Sequence, residues 1–231
     1  AYLHKNGGRF VTVLPRTRAE DAAFRATAQA GEVDWRQVHV KRDEQDTILD
    51  EFSIASTPMQ TVEGYRLVWY HSTLKAECDA ASRLKRLERV VARLDELRRK
   101  LASPRTRYRR RAQVCVAVEV IVRECEVAGW VTVEVKETTR ETYRQERRGR
   151  PSETTRYKKQ ERTRFEIEHR VALERLDAEA RCDGVFPLVS NDLTMTEREL
   201  LLTYKHQPAI ERRFEQLKTD FEVAPVYLQE V

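Results

Sequence analysis

The chain has 231 residues and a mass of 27.2 kDa, enough to bury one large core or two small ones and too long for a disulfide-stapled mini-protein. Charged residues make up 35% against 40% hydrophobic, with a mean hydropathy of -0.68, the balance of a globular or partly extended chain with much solvated surface. The longest apolar stretch, Val114 to Val122, is broken by Glu119 and falls far short of the roughly 20 residues a bilayer span needs, so no membrane role is expected.

The net charge of +5 is unevenly spread. Of the 43 basic residues 33 are Arg and 10 are Lys. Arginine presents a planar fork that grips phosphate at two points, so the bias suits a nucleic-acid binder, although a GC-rich genome produces the same bias without function. Residues 103–165 hold 17 Lys+Arg against 9 acids, net +8, and the remainder is net -3. Four cysteines, at 78, 115, 125 and 182, form no CxxC pair; reduced thiols in a cytoplasm are expected. His4, His39, His71, His169 and His206 form no HExxH and stand at no zinc spacing with Cys.

In chain order, a Gly7-Gly8 turn leads into a strand Phe10 to Leu14 ended by Pro15. A helix around Arg18 to Ala30 and a strand near Trp35 to Val40 follow, then polar linkage through Ser56-Thr57-Pro58 and a strand over Gly64 to Tyr70. Thr73 to Ala102 reads as a long helix with a heptad-like stripe of Leu84, Leu87, Val91, Leu94 and Leu101. The stripe fits intramolecular packing or a dimer seam. Pro104 ends it, and residues 106–128 read as a second helix, making a helical hairpin over about 73–128, or as a buried strand, since Val114, Val118, Ile121 and Val122 suit either. Trp130 to Val135 alternates like a strand, and the polar stretch 137–163 reads as a basic loop or hairpin tip around Arg148-Gly149-Arg150-Pro151. Order returns at Phe165 to Glu168, with a short helix near Leu173 and a strand Gly184 to Val189. Thr196 and Glu199 make a capping box that opens a further helix.

Tyr204, Glu211 and Lys218 recur every seven residues, and seven steps of about 100° return within about 20° of the start, so a continuous helix would align them. Pro208 either kinks that helix or begins a new one. Ile210, Phe214, Leu217 and Phe221 form the adjoining apolar stripe. By spacing alone this is also the pattern of an ordinary amphipathic helix with surface charges.

The run Gly184-Val185-Phe186-Pro187-Leu188-Val189-Ser190-Asn191-Asp192, followed by Tyr204, Pro208, Ile210-Glu211, Phe214 and Leu217-Lys218, resembles the C-terminal part of the insertion-sequence-four-like DDE transposases. Their signature is Tyr-x2-Arg-x3-Glu-x6-Lys. Tyr204, Glu211 and Lys218 match three of its positions, and Gln207 stands where Arg is expected. Tyr2 to Arg18 is similar to the stretch these enzymes carry after their second catalytic aspartate, and Gly64 to Leu74 is similar as well.

The resemblance implies an α/β fold, an incomplete ribonuclease-H-like core with a large α+β insertion. Residues 1–15 and 184–231 would be the core and 16–183 the insertion. It further implies DNA transposition through Mg²⁺, or Mn²⁺ in its place, with Glu211 as catalytic residue and metal ligand. Hard oxygen donors suit Mg²⁺, and two ions can activate the attacking oxygen and stabilise the leaving one at a phosphodiester. Tyr204, Gln207 and Lys218 would contact the phosphates of double-stranded DNA at the element ends. Both family aspartates would precede Ala1, since none of Asp21, Asp34, Asp43, Asp46 or Asp50 stands in a matching context; the expectation is a fragment lacking its N-terminal part and extreme C-terminus that alone cuts no DNA. A nucleoid-associated location in a bacterial cytoplasm follows, and a homodimer would serve two element ends. The competing reading is a catalytically dead DNA-binding remnant or regulator.

Two further basic motifs bear on DNA. Arg105 to Arg111 places five Arg in seven residues around Tyr108. Arg107, Arg109 and Arg110 would track phosphates, or the run is a solvated helix start paired with Glu119, Glu124 and Glu126. Arg148 and Arg150 fit a hook that enters a narrow minor groove, or the corner of a hairpin.

Overall fold

A strand with apolar residues at both parities must be covered on both faces, and the segments near 66–72 and 185–190 have that composition. In the computed structural model, which describes residues 7–145 and 156–207, both lie inside a sheet. The described elements are β1 (Val11–Val13), α1 (Ala19–Ala30), β2 (Trp35–Arg42), β3 (Ile48–Ala55), β4 (Met59–Gln60), β5 (Arg66–Ser72), α2 (Thr73–Ala102), α3 (Arg111–Glu124), β6 (Val131–Gln145), β7 (Tyr157–Val171), α4 (Leu173–Ala180) and β8 (Val185–Ser190). A final helix, α5, covers 197–207. The chain divides into two units, Ala1–Asp79 with Arg181–Val231, and Ala80–Ala180.

The first unit holds a sheet of order β1-β8-β5-β3-β2, with β4 paired to β5. Leu67 and Trp69 of β5 and Val185 and Val189 of β8 share a cluster with Phe24 and Ala28 of α1. Phe24 stacks on Trp69 with centroids 4.0 Å apart and planes 2° from parallel. The alternate residues Val68, Tyr70, Phe186 and Leu188 share a second cluster with Leu200 and Leu201 of α5. All six residues of β8 are buried, which explains why no polar alternation marks this strand.

The mixture of helix and strand expected from the sequence is present, but its arrangement differs from a parallel α/β sheet. Every pairing between described strands is antiparallel. The turn between β2 and β3 is too short for a parallel crossover, which needs a dozen residues or more; there Asp43 accepts the Gln45 and Thr47 amides at 2.9 and 2.8 Å. The strand Ile48–Ala55 was not expected, because it buries alternate residues Phe52 and Ile54 only against other elements of this unit. The unit boundary lies at Asp79/Ala80 and Ala180/Arg181, and β2 to β5, within 16–79, share one sheet with β1 and β8.

In the second unit α2 and α3 form the expected helical hairpin. Residues 106–128 resolve as helix over Arg111–Glu124, because Val114, Val118 and Ile121 recur at steps of four and three and are buried together. The α2 stripe that packs is Val90, Leu94, Leu97 and Leu101, with Leu87 and Val91 beside it; Leu84 is 57% exposed. The stripe therefore serves this unit's own core. Val131, Phe165 and Ile167 complete that core from the base of a two-stranded sheet, whose ladder runs from Val131↔Val171 to Gln145↔Tyr157. Much of the expected loop 137–163 is thus paired strand. No helix among the described residues is long and apolar enough to cross a membrane.

Gly184 sets the start of β8. Its φ of 75° is in the left-handed region, and a Cβ there would lie 2.4 Å from the Ser72 carbonyl oxygen and 2.9 Å from Ala76 Cβ. Its N–H donates to Asp79 Oδ2 at 2.9 Å, and its carbonyl accepts from Ser72 N–H at 3.1 Å. Gly184→Ala is expected to lower stability by about 2–3 kcal/mol through combined φ strain and steric displacement, read as a lower urea midpoint at unchanged m. On β5, desolvation depresses the His71 pKa against the opposing pull of Asp50 and Asp183. The folded state then binds fewer protons than the unfolded one, whose histidine titrates near 6.5. Stability should be constant above about pH 6.5 and fall as pH drops through the lowered folded pKa, and His71→Gln should flatten that fall in urea titrations from pH 8 to 5.

Candidate phosphate-binding cleft

Pro187 cannot donate to a ladder, so β8 tolerates it only where one edge needs no donor. The β1 pairing stops at Val13↔Leu188, and only Leu14 N–H reaches the Pro187 carbonyl, at 3.4 Å. The open edge beyond it forms the wall of a cleft of about 250 Å³. Arg16 reaches it from the β1–α1 connection, Asp21 and Arg25 from α1, Lys75 from the first turn of α2, and Tyr204 and Lys205 from α5.

Charge in the cleft is only partly neutralised. Asp21 is 3% exposed; its Oδ2 accepts from Arg25 Nε at 2.8 Å, while Oδ1 has no hydrogen-bond partner among the described residues. Lys75 pairs with Asp79. Burial raises the Asp79 carboxyl, but hydrogen bonds from Lys75 and from Gly184 N–H outweigh it and hold the pKa below the ordinary value. Arg16 and Lys205 have no ion-pair partner among the described residues. Lys205 is exposed as a residue, yet its ammonium lies 4.8 Å from the Phe52 ring centroid and 5.7 Å from that of Phe186. Partial desolvation, with the Lys41 charge adding to it and Asp50 opposing, depresses the Lys205 pKa. The Tyr204 ring packs 6.1 Å from Phe186.

Arg16 and Lys205, without an ion-pair partner among the described residues, and the Tyr204 phenol suit a phosphate group, while buried Asp21 is engaged with Arg25. The volume is below the roughly 300–1,000 Å³ of sites that enclose whole cofactors, so it fits one phosphate group and its neighbourhood. A more open hollow of about 570 Å³ near Arg9 and Asp192 has less free charge. Asp192 already accepts the Thr194 N–H and hydroxyl and pairs with Arg9 at 2.9 Å, and Glu199 closes the Thr196 capping box.

Of the residues singled out from the sequence, Tyr204 lines the cleft and Gln207 lies one turn on, exposed, at the last described position of α5. Glu211, Lys218, Arg148 and Arg150 lie outside the described residues. Arg107, Arg109 and Arg110 belong to the second unit, ahead of α3, where Gln113 Oε1 accepts the Arg109 and Arg110 amides at 2.9 and 3.2 Å. Arg107 borders a hollow with Arg93 and Lys100. Of the three acids expected to offset this run, Glu124 pairs instead with Arg93 at 2.6 Å and Glu126 with Arg86 at 3.7 Å. Arg16, Asp21, Arg25, Lys75 and Lys205 were missed. The only sequence signals for them were the Asp21/Arg25 spacing of four and the adjacency of Lys205 to Tyr204. Among the described residues no three His, Cys, Asp or Glu side chains converge as metal ligands.

No protein-family model, curated protein or solved structure matches this chain. Inorganic phosphate in the cleft should raise the Lys205 pKa toward the ordinary lysine value. Lysine-resolved NMR titration with and without phosphate checks this, and Arg16→Ala should abolish the phosphate-induced rise.

Proposed function

We propose that the chain is part of a DDE transposase of the insertion-sequence-four-like type and that its first unit is the C-terminal side of a ribonuclease-H-like core extended by antiparallel strands. The observation that carries the reading is the neighbourhood of three segments distant in sequence. Tyr2 to Arg18, Gly64 to Leu74 and Gly184 to Asp192 are the stretches similar to that family, and they supply β1, β5 and β8, three adjacent strands. Signature residue Tyr204 borders, on α5, a cleft with free cations.

On this reading Arg16 and Lys205 bind a backbone phosphate, the first through a two-point fork and the second as a point charge. Tyr204 O–H donates to a phosphate oxygen and fixes register rather than base sequence. Buried Asp21 keeps Arg25 oriented along the wall. The described residues supply no metal site, and Glu211, the carboxylate that the resemblance assigns to Mg²⁺, lies outside them; the described part of the chain contributes DNA binding.

Arg16→Ala and Lys205→Ala should each weaken duplex binding and lower the slope of log K against log salt by about 0.9, the release expected for one phosphate contact. The salt dependence of fluorescence anisotropy measures this. The 231-residue chain should bind duplex without nicking it when Mg²⁺ or Mn²⁺ is added, because one assigned carboxylate does not make a two-metal site. Metal-dependent nicking that disappears in Glu211→Gln would overturn that expectation.

A further inference from the structure

The connection from α2 into the first residue of α3 carries Arg105, Arg107, Arg109, Arg110 and Arg111, all exposed. None of the five forms an ion pair among the described residues. Four acids of this unit are instead paired with cations of α2: Glu126 with Arg86, Glu124 with Arg93, Asp95 with Arg98 and Glu96 with Lys100. Glu119 stands eight positions along α3 from Arg111, about 12 Å at about 1.5 Å per residue. Short local hydrogen bonds hold the backbone that presents the run. Thr106 N–H donates to the Ser103 carbonyl at 3.1 Å, Tyr108 N–H to the Thr106 hydroxyl at 3.3 Å, and Gln113 accepts from the next two amides.

Beside the run lies a hollow of about 270 Å³. Arg107 and Tyr108 border it, and Leu97, Ala117, Val120 and Ile121 give it an apolar lining. Tyr108 packs against the core cluster of this unit, and the Arg107 guanidinium lies 5.5 Å from its ring centroid. A flat cation and an aromatic ring are therefore held together at the border of an apolar space.

Cations at the start of a helix oppose its dipole, and the first turn of α3 has no acid to offset them. Five uncompensated guanidiniums there work against the unit by itself and make physical sense with a polyanion laid across them. A duplex would use the arginines alone, because its bases stay stacked inside, whereas a single strand also offers its flat rings to aromatic side chains and guanidinium planes. The hollow is smaller than the roughly 300–1,000 Å³ of sites that enclose whole ligands, so it takes one ring and not a nucleotide. We infer that the α2–α3 connection and the adjoining hollow dock single-stranded nucleic acid, with phosphates on Arg105, Arg107 and Arg109 and one base in the hollow. The contacts are to phosphate and base, and they stand on the second unit alone, independent of the duplex contacts of the proposed function.

The test is fluorescence anisotropy of the full chain on a thymidine oligonucleotide of about 15 nucleotides, a length within the footprint of single-strand binders, across a salt series. R105Q/R107Q/R109Q removes three phosphate contacts. The slope of log K against log salt should then fall by about 2, at about 0.7 per contact, and affinity at about 0.1 M salt should fall roughly 100-fold. R105K/R107K/R109K keeps the charges and should keep the slope. Ala117→Leu fills the hollow without changing charge; it should lower single-strand affinity roughly tenfold at an unchanged slope, with the urea midpoint and duplex affinity of the parent chain. Val120→Leu, one turn along α3, repeats the filling where the first variant is unstable. Parental affinity and slope in R105Q/R107Q/R109Q overturn the inference, as do parental single-strand affinity in both filling variants and binding of poly-glutamate as tight as that of the oligonucleotide. Arg16→Ala and Lys205→Ala should leave single-strand binding unchanged. Loss of it in those variants but not in R105Q/R107Q/R109Q would put the strand in the cleft and overturn the inference, whereas an effect of theirs on duplex alone bears only on the proposed function.

Discussion

The first unit depends on the burial of one strand from four sides. Val185–Ser190 is hydrogen-bonded to β1 along one edge and β5 along the other, and its two faces are covered by the α1 and α5 clusters. Six consecutive buried residues leave no latitude in register, since a slip of one residue would exchange Phe186 and Leu188 with Val185 and Val189 between unlike clusters. Gly184 supplies the left-handed entry, and Asp79 and Ser72 tie that entry to the first turn of α2. Asp50 reinforces the same corner: it is buried and accepts from the Ser72 hydroxyl at 2.8 Å and the Leu74 amide at 3.1 Å, capping α2 from a neighbouring strand.

The cleft is a by-product of the same strand. Because β1 is three residues long, it leaves the edge at Phe186 and Pro187 uncovered, and a proline there has no donor to leave orphaned. The side chains that gather around this edge come from four separate elements. Their carboxylates are too few to balance them, so the cleft keeps positive charge beside aromatic rings that lower the hydration of Lys205. Partial desolvation strengthens any ion pair an anion makes there relative to one at an open surface.

The second unit spends its apolar residues differently. Val90, Leu94, Leu97 and Leu101 of α2 meet Val114, Val118 and Ile121 of α3 and the base of the ribbon. The concentration of positive charge in residues 103–165 thus separates into two populations. Arg107, Arg109 and Arg110 sit ahead of α3, while on the ribbon Lys136 pairs with Glu168 and Lys159 with Glu141 and Glu161.

Periodicity alone determined the long helix Thr73–Ala102, the helix Ala19–Ala30, the strands near 66–72 and 185–190, and the Thr196/Glu199 cap, because each depends on residues within a few positions of one another. It also exposed Tyr204 as a residue worth placing. The strand Ile48–Ala55, the antiparallel order β1-β8-β5-β3-β2 and the helical state of Arg111–Glu124 were decided by tertiary contacts, since valine-rich segments satisfy either backbone until a partner surface selects one. The grouping of Arg16, Asp21, Arg25, Lys75 and Lys205 around Tyr204 was likewise beyond the sequence. Their positions span nearly 190 residues, and nothing in local spacing reports which distant side chains a sheet edge will bring together.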